Sequence, residues 1–427
     1  MTTAEVVPMR DDERDAVQQR TIRVLQGGVV PGGMAMTCAF VAAALVGEDM
    51  TGSKAWGVIA GVALSIGGTI ATIPLAQVMS RLGRRPGLRA GYGAGFVGSV
   101  ASFLAILTDF YPLLLFGMLL VGAGQSSNLA ARFAGADLAS DDTKARSIGR
   151  VMWGGTVGSV LGPVFSLNVA SPALEALGFK QYAGSFFASM VLFAIAAYTI
   201  HRFLRPDPLK VAGGDGKMPS VRPPAMRDLR FIATNYRPFL AVSGMGLGQA
   251  VMVGIMAVTS LHLRDGVQSE AMIPFVISLH IIGMYAFSPY VGKLVDSVGP
   301  NLVIAMGAIQ LLIGAEVASH TDAEHAMGHF VGLFLVGTGW SFAVVAGSAL
   351  LTASTPLEQR VGVQATADFI MTLTGAAAGI TSGIIVESRS YHDLAHWAGF
   401  LAIALTILAL GGIVLALRKP QATPAPS

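Results

Sequence analysis

The sequence predicts an all-α polytopic membrane protein of twelve transmembrane helices, arranged as two related bundles of six. Three observations carry this. The 427 residues are 53% hydrophobic and only 12% charged, with a mean hydropathy of +0.63, whereas soluble domains carry about 25% charged residues. Twelve apolar stretches reach the roughly 20 residues that a helix needs to cross a bilayer. The two halves of the chain also repeat each other's signals, as parallel transporter repeats do. Glycine, at 52 residues, suits helices that pack closely through small side chains.

Taken in order, a polar tail covers 1–23, with Arg10, Asp11, Asp12, Glu13 and Arg14. That tail and the length of the apolar stretch behind it are not those of a cleavable signal peptide. The first bundle covers 24–204, with spans near 24–47, 55–78, 90–108, 112–135, 147–169 and 183–203. A linker over 205–237 is polar and holds Lys210, Lys217, Arg222, Arg227 and Arg230. It reads as a solvated tether with room for a short amphipathic helix before Pro238. The second bundle covers 238–417, with spans near 238–263, 271–292, 300–319, 328–351, 362–386 and 396–417, and 418–427 forms a closing tail.

Of 28 lysines and arginines, only Lys54, Lys180, Arg264 and Arg389 fall in loops on the side away from the termini. Positive-inside bias therefore places both termini and the linker in the cytoplasm, with the chain in a bacterial cytoplasmic membrane. The net charge of +3 then reflects topology and contact with anionic lipid, not a nucleic-acid partner. A single cysteine, Cys38, excludes a disulfide framework and a Cys-based zinc site. Phosphate-binding glycine loop, zinc-protease helix and nucleophile elbow are all missing from the sequence, so neither an enzyme nor an ATP-driven pump is expected. The chain is expected to work as a monomer.

The internal repeat is specific. Gly122-Ala-Gly124 in the fourth span precedes Arg146, Arg150 and Gly154; Gly337-Thr-Gly339 in the tenth precedes Arg360, Gln364 and Asp368. Ser80-Arg81-Leu-Gly83-Arg84-Arg85 follows the second span, and Gly292-Lys-Leu-Val-Asp296-Ser-Val-Gly299 follows the eighth. These loops resemble the G-x-x-x-D-R-x-G-R-R signature of the major facilitator superfamily. The first copy has Ala76 and Ser80 at the glycine and aspartate positions; the second keeps Gly292, Asp296 and Gly299 but lacks the arginines. The resemblance implies a gate between the halves in which Asp296 takes part and Ser80 does not. Gly158-x-x-x-Gly162-Pro163 in the fifth span resembles an element of facilitator antiporters, although Met118 stands where their fourth-helix arginine is expected.

Chemically, the stretch from Met252 to Met284 stands out. Met252-x-x-x-Met256 and His280-x-x-x-Met284 each place two soft or borderline donors on one helix face. A hairpin with its apex near Gln268 would bring Met252 level with Met284, and Met256 with His280. Thioethers favour Cu(I), and imidazole also suits copper. None of the four needs a buried formal charge, which limits their cost inside a bilayer. The alternative is apolar packing by some of the 19 methionines, with His280 bonding a neighbouring helix. The paired motifs resemble those of the CcoA-like copper importers of the superfamily, which implies that these four residues bind copper as it is transported, with no permanently bound cofactor. That wider group also includes riboflavin transporters.

Asp368, an intramembrane carboxylate, is a candidate proton carrier; the alternative is an interfacial position close to Arg360. Arg132 and Arg150 are candidate partners for Asp137 or Asp368. Gln125, Asn128 and Gln249 are candidate helix bridges. The outer histidines His320, His325, His392 and His396 are candidate metal collectors or a solvated rim. The functional expectation is copper uptake by alternating access, set against proton-coupled transport of a small organic compound, either drug efflux or riboflavin-like uptake. A non-transporting sensor or scaffold is a third class, disfavoured without an appended signalling domain.

Overall fold

A computed structural model describes residues 11–213, 224–265, 272–321 and 326–418. The first half consists of α1 (Asp11–Thr51), α2 (Lys54–Leu82), α3 (Arg84–Thr108), α4 (Tyr111–Ala134), α5 (Lys144–Phe165) and α7 (Ala183–Phe203). A π-helical turn, Ser166–Ala170, carries α5 into the short α6 (Ser171–Glu175). The linker contributes α8 (Pro208–Val211) and α9 (Pro224–Thr234). The second half holds α10 (Tyr236–Asp265), α11 (Met272–Tyr285), α12 (Ser288–Val298), α13 (Pro300–Ser319), α14 (Ala326–Ser354), α15 (Leu357–Ser388) and α16 (Tyr391–Arg418).

The fold is all-helical, with twelve transmembrane segments in two bundles. Ten helices among the described residues are long and apolar enough by themselves to cross a membrane. The other two crossings have local reasons to differ. The eighth is divided into α11 and α12, where Ser288 and Pro289 restart the helix and the Ser288 hydroxyl donates to the Tyr285 carbonyl at 2.6 Å. The eleventh is α15, whose first turns carry Glu358, Arg360, Gln364 and Asp368. Large apolar side chains such as Ile70, Ile380, Phe400 and Ile407 lie more than half exposed, as expected of a lipid-facing belt rather than a watery surface.

Inside each bundle, glycine lets helices touch backbone to backbone. A Cβ on Gly98 of α3 would lie 2.5 Å from the Gly117 carbonyl of α4, and one on Gly307 of α13 would lie 2.9 Å from the Gly339 carbonyl of α14. The glycine repeat visible in the sequence has matching contacts, Gly122 of α4 lying against the Leu64 carbonyl of α2 and Gly337 of α14 against the His280 carbonyl of α11. Gly83 and Gly299 turn the chain between α2 and α3 and between α12 and α13, with φ of 106° and 88°, a region that L side chains avoid.

Residues 11–23 depart from the expected tail: they are the first turns of α1. Gln18 donates to the Gly135 carbonyl at 2.7 Å and to Ser147 at 3.2 Å, and Arg14 donates to the Leu138 carbonyl at 3.3 Å. The polar residues are there to dock on the α4–α5 loop.

Hydrogen bonds that join the two halves cluster toward the end that carries the linker. The Ser288 hydroxyl shares its one proton between the Tyr285 carbonyl and the Gly149 carbonyl of the other half, the latter at 2.9 Å. Asp296 accepts from the amides of Ala145 and Arg146 at 3.1 and 3.0 Å, and Arg84 reaches Gln364 at 2.7 Å. The bundles are closed against each other at that end.

Candidate functional site

The central site is built by α10, α11 and α14. Among the described residues, direct contact between α10 and α11 is slight, a departure from the simple hairpin expected, and both pack on α14. The expected apex at Gln268 lies outside the described residues. Trp340 of α14 spans the two helices. Its Nε1 donates to Gln249 Oε1 of α10 at 2.6 Å, and its ring meets Tyr285 of α11 edge to face at 5.5 Å. Gln249 lies three residues before Met252, and Tyr285 directly follows Met284. Met252, Met284 and Trp340 fall in one buried cluster, and Met256 packs against its edge.

His280 is 1% exposed. Its Nδ1 lies 2.8 Å from the Leu333 carbonyl. A carbonyl only accepts, so Nδ1 carries the proton and Nε2 of the neutral ring carries a lone pair. That Nε2 is buried without a hydrogen-bond partner. Gly337 makes the approach possible, since a Cβ there would meet His280 Nδ1 at 3.2 Å. A backbone carbonyl fixing one imidazole nitrogen while the other stays free is the usual preparation of a histidine ligand.

Below this layer, toward the linker end, two buried ionic groups join the bundles. Arg132 of α4 is paired with Asp368 of α15, donates to Ser348 of α14 at 3.0 Å, and lies over the Phe133 ring. Arg84 holds Asp137 through Nε at 2.8 Å and Nη2 at 3.1 Å. Gln364, besides accepting from Arg84, donates to Thr352 at 3.1 Å. A small cavity between the groups is lined by Met79, Arg84, Ser126, Gln364 and Asp368. Asp368 is therefore buried inside the protein. Arg150 offers its carbonyl to Gln26. Asn128 bridges helices by accepting from the Tyr92 hydroxyl at 2.7 Å and donating to the Val29 carbonyl at 3.3 Å.

The gating loops differ between halves as their sequences do. The Asp296 carboxylate caps the first turn of α5 across the bundle interface, and Gly292 lets α12 approach, a Cβ there lying 2.5 Å from the Ala145 carbonyl. Ser80 is only partly buried and bonds its own helix at the Gln77 carbonyl. Arg81 is exposed. The amides of Arg84 and Arg85 are instead capped by Asp207 of the linker, at 3.1 and 2.8 Å. Asp207 had a readable signal, an aspartate before proline at a helix start, but its second role at α3 had none. An Asp296→Ala variant should lose about 1 kcal/mol of stability, and Ser80→Ala none; thermal unfolding in detergent compares the two.

In the fifth span, a Cβ on Gly158 would lie 2.6 Å from the Val30 carbonyl of α1. Thr37 and Cys38 of α1 donate to the Gly158 and Gly162 carbonyls, each at 3.3 Å, beside Pro163. On the far rim, Glu316 lies 3.7 Å from His320 and 3.5 Å from His396, while His325 lies outside the described residues. Among the described residues no group of three or more His, Cys, Asp and Glu side chains could hold a metal.

Outside the bilayer segments, Asp228 of α9 is buried with Oδ2 unpartnered, facing Gly362 of α15. Burial pushes its carboxyl up to about 6 from 3.8, with Arg227 acting the other way. A carboxyl raised in the folded state costs stability once it ionises, so the cost grows as pH rises from 4 through 6 and is full above that. Asp228→Asn should raise the unfolding midpoint at pH 8, and the gain should shrink toward pH 4.

Two six-helix bundles joined by a linker, sealed together at one end beneath a central polar site, define a membrane transporter that works between its halves. The model for the Major Facilitator Superfamily matches residues 27–343. The MFS-type transporter YddS of Bacillus subtilis is 32% identical over 95% of this chain and 90% of its own. The riboflavin transporter RfnT of Brucella anthropi is 27% identical over 86% of this chain and 88% of its own. The crystal structure of the human organic anion transporter MFSD10 superposes with a TM-score of 0.74 at 14% identity, covering 92% of this chain and 99% of that one. This chain belongs to the Major Facilitator Superfamily, and is a multi-pass transporter of small solutes, not an enzyme.

Proposed function

We propose that the chain imports copper as Cu(I) across a bacterial cytoplasmic membrane by alternating access, with the linker and both termini in the cytoplasm. The observation that carries this reading is the free, buried Nε2 of His280, held in the ligand tautomer by Leu333. Met252, Met256 and Met284 would supply the remaining donors, soft sulfurs that favour Cu(I) over harder divalent ions. Asp368 would carry the coupled proton, released to it when its pairing with Arg132 loosens.

One observation favours a second reading. The relation to RfnT suggests a flavin-like organic solute, for which Trp340 and Tyr285 would offer aromatic faces and Gln249 an amide. Proteoliposomes separate the two. Ascorbate-reduced copper should accumulate inside, unaffected by excess riboflavin; riboflavin uptake without copper flux would end the copper reading.

A further inference from the structure

A second cavity, about 310 Å³, opens at the linker end, away from the central site. It is lined by Arg14 of α1, Asp137 and Asp141 of the α4–α5 loop, Lys144 of α5, and Leu357 and Arg360 of α15. Both carboxylates are already engaged: Asp137 by Arg84, Asp141 by Lys144. Arg14, Arg84, Lys144 and Arg360 still outnumber these two and Glu358, which also acts on Arg360. Arg360 Nε is buried without a hydrogen-bond partner. A guanidinium has only donors to offer; Arg360 as a whole is part-buried and lines the cavity, so those of its N–H groups that reach the cavity call for an acceptor that enters it.

We propose that this cavity is an anion site for a phosphate-type oxyanion, and that its occupant holds the linker end closed. A tetrahedral oxyanion presents several acceptors at the spacing of a guanidinium fork. The geometry supplies the coupling: Arg14 and Lys144 belong to the first half, Arg360 to the second. All three surround the ligand only while the halves are together at this end. A ligand that binds one state better shifts the population toward it. The same chemistry is offered by free phosphate, by phosphorylated solutes, and by the headgroup of an anionic phospholipid.

The test uses the full chain in phosphatidylcholine nanodiscs, with Cys38→Ser and spin labels on Ser80→Cys and Glu358→Cys, which lie on opposite halves at this end. Inorganic phosphate should bind by calorimetry and should raise the short-distance population at least about threefold. Arg360→Gln should weaken phosphate binding about tenfold or more, whereas Arg202→Gln, remote on α7, should not. Phosphatidylglycerol discs without phosphate should mimic the shift if the headgroup is the occupant, and leave the distances unchanged if a soluble anion is. No response to either phosphate or phosphatidylglycerol, or equal affinity in Arg360→Gln, overturns the proposal. The readouts are binding and distance, so they are independent of whether copper is the cargo.

Discussion

Replacing His280 with alanine, or Met252 and Met256 together with leucine, is expected to lower copper accumulation about 10–100-fold in a copper-uptake-deficient host at matched membrane levels. The two variants probe different chemistry. Leucine keeps the bulk of methionine, so buried packing changes little and the loss reports sulfur. Alanine at position 280 removes the imidazole whose Nδ1 is held by Leu333 and whose Nε2 is otherwise unpartnered. Met284→Leu should act in the same direction. If the methionine variants accumulate copper like wild type, the sulfurs are packing and the copper path lies elsewhere.

The second large effect concerns Arg132 and Asp368. Removing one member of a buried ion pair strands the other, at about 3–5 kcal/mol. Asp368→Asn should therefore lower stability by several degrees of midpoint and also abolish any dependence of uptake on a proton gradient. The double variant Arg132→Met/Asp368→Leu separates the two consequences. Apolar residues of similar volume commonly replace a buried pair at little cost, so its midpoint should recover while proton coupling stays lost. Uptake by the double variant that still follows the proton gradient would remove Asp368 from the coupling role. Ser348 and Phe133, which also hold Arg132, explain why a single partner cannot simply be substituted.

Much of this architecture was legible in the sequence because bilayer thickness acts locally: twenty apolar residues read the same whatever surrounds them. The loop glycines were legible for a similar reason, since Gly83 and Gly299 answer a backbone demand at matching positions. What escaped is set by packing between distant elements. Residues 11–23 look like a tail because they are polar, but Gln18 spends its amide on Gly135 and Ser147. Helices consecutive in sequence were expected to lie side by side; instead α10 and α11 both lean on α14, and Trp340 makes the link. Asp207 escaped because its partners at Arg84 and Arg85 lie 122 or more residues away. The Arg132–Asp368 pairing stood among several possibilities until α4 and α15 were brought together.

The absence of formal charge on the His280 ring and the three thioethers also bears on how the proposed cycle is powered. Three thioethers and one neutral imidazole bring no formal charge to the cargo, so a Cu(I) ion seated among them keeps its whole unit of charge as the halves rock. A potential of 100 mV, negative inside, then does about 2.3 kcal/mol of work on each ion, roughly a fifty-fold concentration ratio. Such a carrier passes a current. With no pH gradient across the membrane, clamping the voltage at zero should flatten accumulation, and reversing its sign should empty the vesicle.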